Sequence, residues 1–171
     1  RQPELAKTLR AIAARGAAAF YQGEVAADIV ATLRAAGGLH TEEDFANGQN
    51  AAEFVTPISI GWRGMEVYQC PPNGSGMHAL QILGTLGNLP TPEGGPLSAT
   101  RLHRHIEAAR MAYRDRDAFL ADPAHVNVPV EKLLNADYLK RLAGLIRDDA
   151  AMPELPAPGE SDLNKHKDTV Y

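Results

Sequence analysis

The chain holds a single cysteine, Cys70, so no disulfide can close within it, and the lone thiol says little else about compartment. No apolar run approaches the roughly 18 residues that a membrane-spanning helix needs. Positive charge is not in excess: 17 Lys and Arg stand against 21 Asp and Glu, a net charge of −4. That leaves no basic patch and argues against nucleic acid as a partner. Neither an initiator Met nor a secretory leader opens the chain, which begins Arg1-Gln2-Pro3 and reads as a piece of something longer. What remains is 171 residues at 44% hydrophobic, enough for one ordinary core.

The organising stretch runs from Val67 to Leu83. It reads as the end of a strand, a tight corner, then a helix. Pro71 and Pro72 stop a sheet ladder because neither can donate a backbone hydrogen bond. Gly74 and Gly76 are expected to supply the backbone angles of the corner, and Ser75 to cap the helix. Such a corner can bind an anion through free N–H groups, but the fuller phosphate-loop signatures are absent, and a structural corner is the simpler reading.

Upstream, residues 3–37 read as helices. Pro3 suits a first helical position, Glu4 the positive end of the dipole, and Gly16 a terminus. Leu5, Leu9 and Ile12 form one stripe, and Ala26, Ile29, Val30 and Leu33 a second. Thr41 with Asp44 three residues on is a weak capping box, and His40 is a loop histidine. A β-hairpin is expected over 53–70: Phe54 to Ile60, a Gly61-Trp62-Arg63-Gly64 turn, then Met65 to Cys70. Pro57 suggests an edge strand or a bulge.

Downstream, Leu80, Leu83 and Leu86 give a buried helical face up to Gly87, and residues 91–96 form a loop. A long helix is expected near 98–120, burying Leu102, Ile106, Ala109, Tyr113 and Leu120, with Arg116 on the same line and in need of an acid. His103 and His105, two apart on a helix, point to different faces, which argues against shared metal ligation. Leu133, Leu139, Leu142 and Ile146 read as one more helix, ending at Asp148-Asp149. From Met152 the composition turns Pro-rich and polar, and residues 153–168 read as a flexible linker. The chain ends Asp168-Thr169-Val170-Tyr171.

Taken in order, these pieces resemble the γ-glutamyltranspeptidase family. The Pro71-Pro72-Asn73-Gly74-Ser75-Gly76 corner is similar to the family's Pro-Pro-Pro-Ser-Ser-Gly-Gly, with Asn73 and Gly74 as local variants. Gln2-Pro3-Glu4-Leu5-Ala6, then Phe20-Tyr21-Gln22-Gly23, then Gly37-Gly38 followed by Thr41 and Asp44 match its usual order. The run Glu107-Ala108-Ala109-Arg110, leading to Asp115-Arg116 and Asp122-Pro123, is similar again. The resemblance covers essentially the whole chain. It implies an α+β, mainly helical fragment with one β-hairpin, part of the αββα sandwich of an N-terminal-nucleophile hydrolase.

By the same resemblance, residues 1–152 are a large-subunit segment, 153–168 the linker before a self-cleavage site, and 169–171 the start of the small subunit. Thr169 is then the catalytic nucleophile, freed by cutting the Asp168–Thr169 bond. Substrates would be γ-glutamyl compounds such as glutathione, with an amino acid, a dipeptide or water as acceptor. Oxyanion donors and the substrate-binding arginine would lie outside this stretch, so no substrate-binding residue carries over and the fragment alone would be inactive. The resemblance calls for no cofactor or metal, supplies the small subunit of the same precursor as partner, and suggests a periplasmic or extracellular setting. One departure stands out: many members have a second threonine where this chain has Val170. That leaves open an acylase or γ-glutamyl hydrolase branch, and a non-catalytic homologue used as scaffold or binding protein is the rival from another class.

Overall fold

The computed structural model describes residues 1–159; Asp168, Thr169, Val170 and Tyr171 lie outside the described residues. The chain divides into two compact units, residues 1–54 and the residues from Val55 on.

The first unit holds four helices, α1 (Pro3–Arg15), α2 (Ala18–Tyr21), α3 (Glu24–Ala35) and α4 (Glu42–Gly48). Pro3 stands in the first turn of α1 with Glu4, and Gly16 ends the helix at φ 69. The expected α1 stripe is not buried: Leu5 and Leu9 are exposed, and the unit's small core is Ala19, Ala26 and Val30. Before α4, Thr41 Oγ1 accepts from the Asp44 N–H at 3.2 Å, and Asp44 Oδ2 accepts from the Thr41 N–H at 2.8 Å. Both orphan groups are thereby satisfied. That backbone hydrogen bond is also the main cause holding the Asp44 carboxyl below its ordinary value.

In the second unit, β1 (Ile58–Trp62) and β2 (Met65–Gln69) pair antiparallel, with Ile60 opposite Val67 and Trp62 opposite Met65. The hairpin is tighter than the sequence suggested. Arg63 and Gly64 alone make the turn, both left-handed at φ 50 and 81, so Trp62 joins the ladder. Residues 53–57 stay outside it, with Pro57 just ahead of the first strand residue.

Four helices follow: α5 (Gly76–Gly87), α6 (Ala99–Phe119), α7 (Val130–Leu133) and α8 (Ala136–Gly144). Met77, Met111, Leu133, Tyr138 and Leu142 form the core between them. Ile60 packs on α5 at Gly84, where an added Cβ would stand 3.3 Å from Ile60 and 2.5 Å from Leu139. The hairpin's inner face is therefore covered by α5. The single helix expected through Leu133 and Ile146 is two, because Asn135 Oδ1 accepts from the Asp137 and Tyr138 N–H groups at 2.9 and 3.3 Å and caps a new start.

The largest correction concerns α6. Leu102, Ile106 and Tyr113 are 45%, 57% and 50% exposed, whereas Arg104, Glu107, Ala108, Met111, Ala112 and Asp115 are buried. The helix turns its charged face inward. Among the described residues, no helix is long and apolar enough to cross a membrane.

Candidate functional site

The inward charges of α6 are satisfied by one another and by the segment that follows α8. Asp115, 0% exposed, is the hub. Its Oδ1 accepts from Arg114 Nε at 2.9 Å and Nη2 at 2.6 Å, and from the Gly159 N–H at 3.0 Å. Its Oδ2 accepts from the Tyr138 hydroxyl at 2.6 Å and from the Gln81 amide. A carboxylate carried this deep needs such a donor set, since an unpaired buried charge is costly. Burial, aided by the bond to Asp115, pushes the Tyr138 hydroxyl well above the usual tyrosine range. The hydroxyl therefore stays protonated and donates, while also accepting from Arg114 Nη2 at 2.8 Å.

A row of contacts extends from this hub along α6. Arg104 makes a two-pronged pair with Asp148, Nε to Oδ1 at 2.7 Å and Nη2 to Oδ2 at 2.6 Å, and its Nη1 donates to the Pro90 carbonyl. The Asp148 bond raises the Arg104 guanidinium and lowers the Asp148 carboxyl. Beside it, His103 Nε2 lies 2.6 Å from the Arg147 carbonyl. Arg110, paired with buried Glu107 at 2.9 Å, donates to the Met152 carbonyl at 2.9 Å. Arg114 Nη1 donates to the Pro156 carbonyl at 3.2 Å. The segment from Asp148 to Gly159 is thus held at four points, and the residues expected to begin a flexible linker at 153 are tied to α6 as far as Gly159.

The expected nucleophile, Thr169, falls outside the described residues, as does its bond to Asp168. No group of three or more His, Cys, Asp or Glu among the described residues is placed to hold a metal ion. Cys70 is free and exposed. Arg116 finds its acid next door, Asp117 at 2.8 Å, and its guanidinium lies 4.5 Å from the Tyr113 ring centre.

The Pro-Pro corner works differently from the expectation. Gly74 and Gly76 are not left-handed, and the Ser75 side chain makes no cap. Gly76 is needed for room: an added Cβ would stand 2.9 Å from the Cys70 carbonyl oxygen. Two turns of α5 then bury His78 and Gln81. Sequence reasoning passed over His78, Gln81 and the Arg104–Asp115 face, because polar side chains inside a helix are counted as its outer face. The available signal was the helical spacing of Arg104, Glu107, Arg114 and Asp115 around small Ala108 and Ala112.

Comparison with known proteins places this geometry. A family profile described as Gamma-glutamyltranspeptidase matches residues 1–171. The glutathione hydrolase proenzyme of Escherichia coli (strain K12) is 39% identical over 176 residues, covering 99% of this chain and 30% of that protein. The chain spans 26 to 30% of the first curated relatives it matches. Among solved structures, the γ-glutamyltranspeptidase of Helicobacter pylori superposes with a TM-score of 0.75 at 34% identity, over 97% of this chain and 48% of that one. A cephalosporin acylase from Bacillus halodurans gives 0.67 at 35%, over 90% and 28%. With a profile match along its whole length, the chain belongs to the gamma-glutamyltranspeptidase family.

Proposed function

We propose that the full-length protein is a γ-glutamyl transferase or hydrolase, made as a precursor that cuts itself between Asp168 and Thr169. The observation carrying this reading is the family match through residue 171, which takes in Thr169 beyond the Pro-rich segment. In the precursor, Thr169 Oγ attacks the Asp168 carbonyl carbon, the C–N bond breaks as the nitrogen gains a proton, and an ester forms. Water then opens the ester, leaving an Asp168 carboxylate and a free Thr169 amine and hydroxyl.

The freed α-amine, with an ordinary pKa of about 7.7–8.0, is close enough to neutrality to take the hydroxyl proton. Thr169 Oγ then attacks a γ-glutamyl carbonyl, as in glutathione, and the departing amine takes the proton. Water or an acceptor amine resolves the acyl-enzyme. The small subunit beginning at Thr169 would complete the two-sheet sandwich and bring the oxyanion donors.

In the full-length precursor, Thr169→Ala should remain one band on a denaturing gel and lose γ-glutamyl-anilide turnover, while Thr169→Ser should cut slowly. Continued cutting of the Ala variant at the same bond would overturn the assignment. The likeness to a cephalosporin acylase, together with Val170, favours a second reading in which hydrolysis of an acyl amide dominates. Val170→Thr should then raise transfer to a dipeptide acceptor relative to hydrolysis, and an unchanged ratio would clear Val170 of that role.

A further inference from the structure

The contacts between α6 and the segment after α8 keep a fixed order. Arg104 meets Asp148 and Asp115 meets Gly159 at a sequence separation of 44, and Arg110 and Arg114 meet the Met152 and Pro156 carbonyls at 42. A near-constant separation means that the segment travels along the helix in the same direction, in step with it. From Arg104 to Asp115 the helix advances about 16 Å, whereas the same number of residues fully extended reaches about 36 Å. The segment is therefore gathered in onto the helix, and Met152 is packed against the core.

From these contacts we infer that α6 is a guide for self-processing, with Arg110, Arg114 and Asp115 as positioning residues that deliver the chain to its cleavage point. The inference rests on the reading above that the precursor cuts before Thr169. Asp115 is the terminus of the guide. Its carboxylate, fixed by Arg114, Tyr138 and Gln81, presents Oδ1 to the Gly159 N–H, and Gly159 reaches it at φ 64, a conformation open to glycine at little cost. Thr169 follows ten residues later in the sequence, a stretch whose fully extended length is about 35 Å. Releasing the three points after Asp148 would return the tether to Asp148 and roughly double its fully extended length.

The guide reads main-chain atoms at three of its four points: two carbonyls and one N–H. It is therefore indifferent to most side chains between Asp149 and Pro158, but not to the backbone at Gly159. Proline at Gly159 removes the donor and cannot adopt the left-handed angle, whereas asparagine keeps the donor and tolerates that angle. The loss is one hydrogen bond to a charged acceptor, on the order of a tenfold change in docking.

The test uses the full-length precursor. Gly159→Pro should self-cleave on the order of tenfold more slowly, Gly159→Asn at close to the parent rate, and amide exchange over residues 152–159 should quicken only in the proline variant. Once cut, the proline variant should turn over γ-glutamyl-anilide with the parent kcat, which a general structural defect would not allow. Should the proline variant fail to accumulate, Gly159→Ala, which keeps the N–H but is strained at φ 64, replaces it and should cut more slowly than Gly159→Asn. Parent-like cutting in a variant whose exchange has quickened, with Thr169→Ala still uncut, would overturn the guide and leave the nucleophile standing. Cutting of Thr169→Ala would overturn the reading beneath it.

Discussion

His78 shows how a single buried side chain sets a pH limit. Both ring nitrogens are buried without a partner, and burial, with the Arg116 charge adding to it, holds the imidazole below its ordinary value of 6.5. The folded chain keeps His78 neutral at a pH where the unfolded chain has already bound a proton. Stability therefore falls as pH drops below 6.5, and the loss stops growing once the folded value is passed. Asp148 acts in a separate window. Its hydrogen bond to Arg104 lowers it, so its contribution is present above 3.8 and disappears only as pH falls through its lowered value. Thermal melts from about pH 7 to about pH 5 should show a smaller drop for His78→Leu than for the parent, because the leucine removes the only one of these two groups that titrates there. Equal drops would place the pH sensitivity elsewhere.

At the scale of elements, helix termini with local chemistry were legible. Pro3, Gly16 and the Thr41–Asp44 box act through neighbours within a few residues, so sequence alone carries their geometry. The hairpin was legible in kind but not in length, since its register depended on whether Arg63 would accept a left-handed φ. The split between α7 and α8 was not legible in the leucine spacing, because it turns on the Asn135 side chain capping the start of α8. For α6 the reading was inverted. An apolar stripe at Leu102, Ile106 and Tyr113 implied an inner face, but the opposite face carries small Ala108 and Ala112, which let helices approach, and charges whose partners, one carboxylate and several main-chain groups, lie 42 to 44 residues away. Periodicity cannot register partners that far apart. The candidate nucleophile came from family resemblance alone, and nothing in composition singles out Thr169 from the other threonines.

For the whole molecule, the division between units has a direct experimental reading. Residues 51–57 are exposed and outside regular structure, and Phe54, at 108% exposure, stands at the boundary. Brief digestion with chymotrypsin should cut first after Phe54 and give pieces of residues 1–54 and 55 onward by mass. A first cut after Tyr68, inside the hairpin, would contradict this division. The guide along α6 has a different consequence, which belongs to sequence exchange between relatives. Because main-chain groups of Met152, Pro156 and Gly159 are what α6 holds, the stretch after Asp148 is constrained by length more than by composition, Met152 at the core and left-handed Gly159 excepted. A graft that keeps the number of residues between Asp148 and Gly159 preserves every partner, whereas one inserted residue displaces Gly159 from Asp115 and leaves a buried carboxylate one donor short.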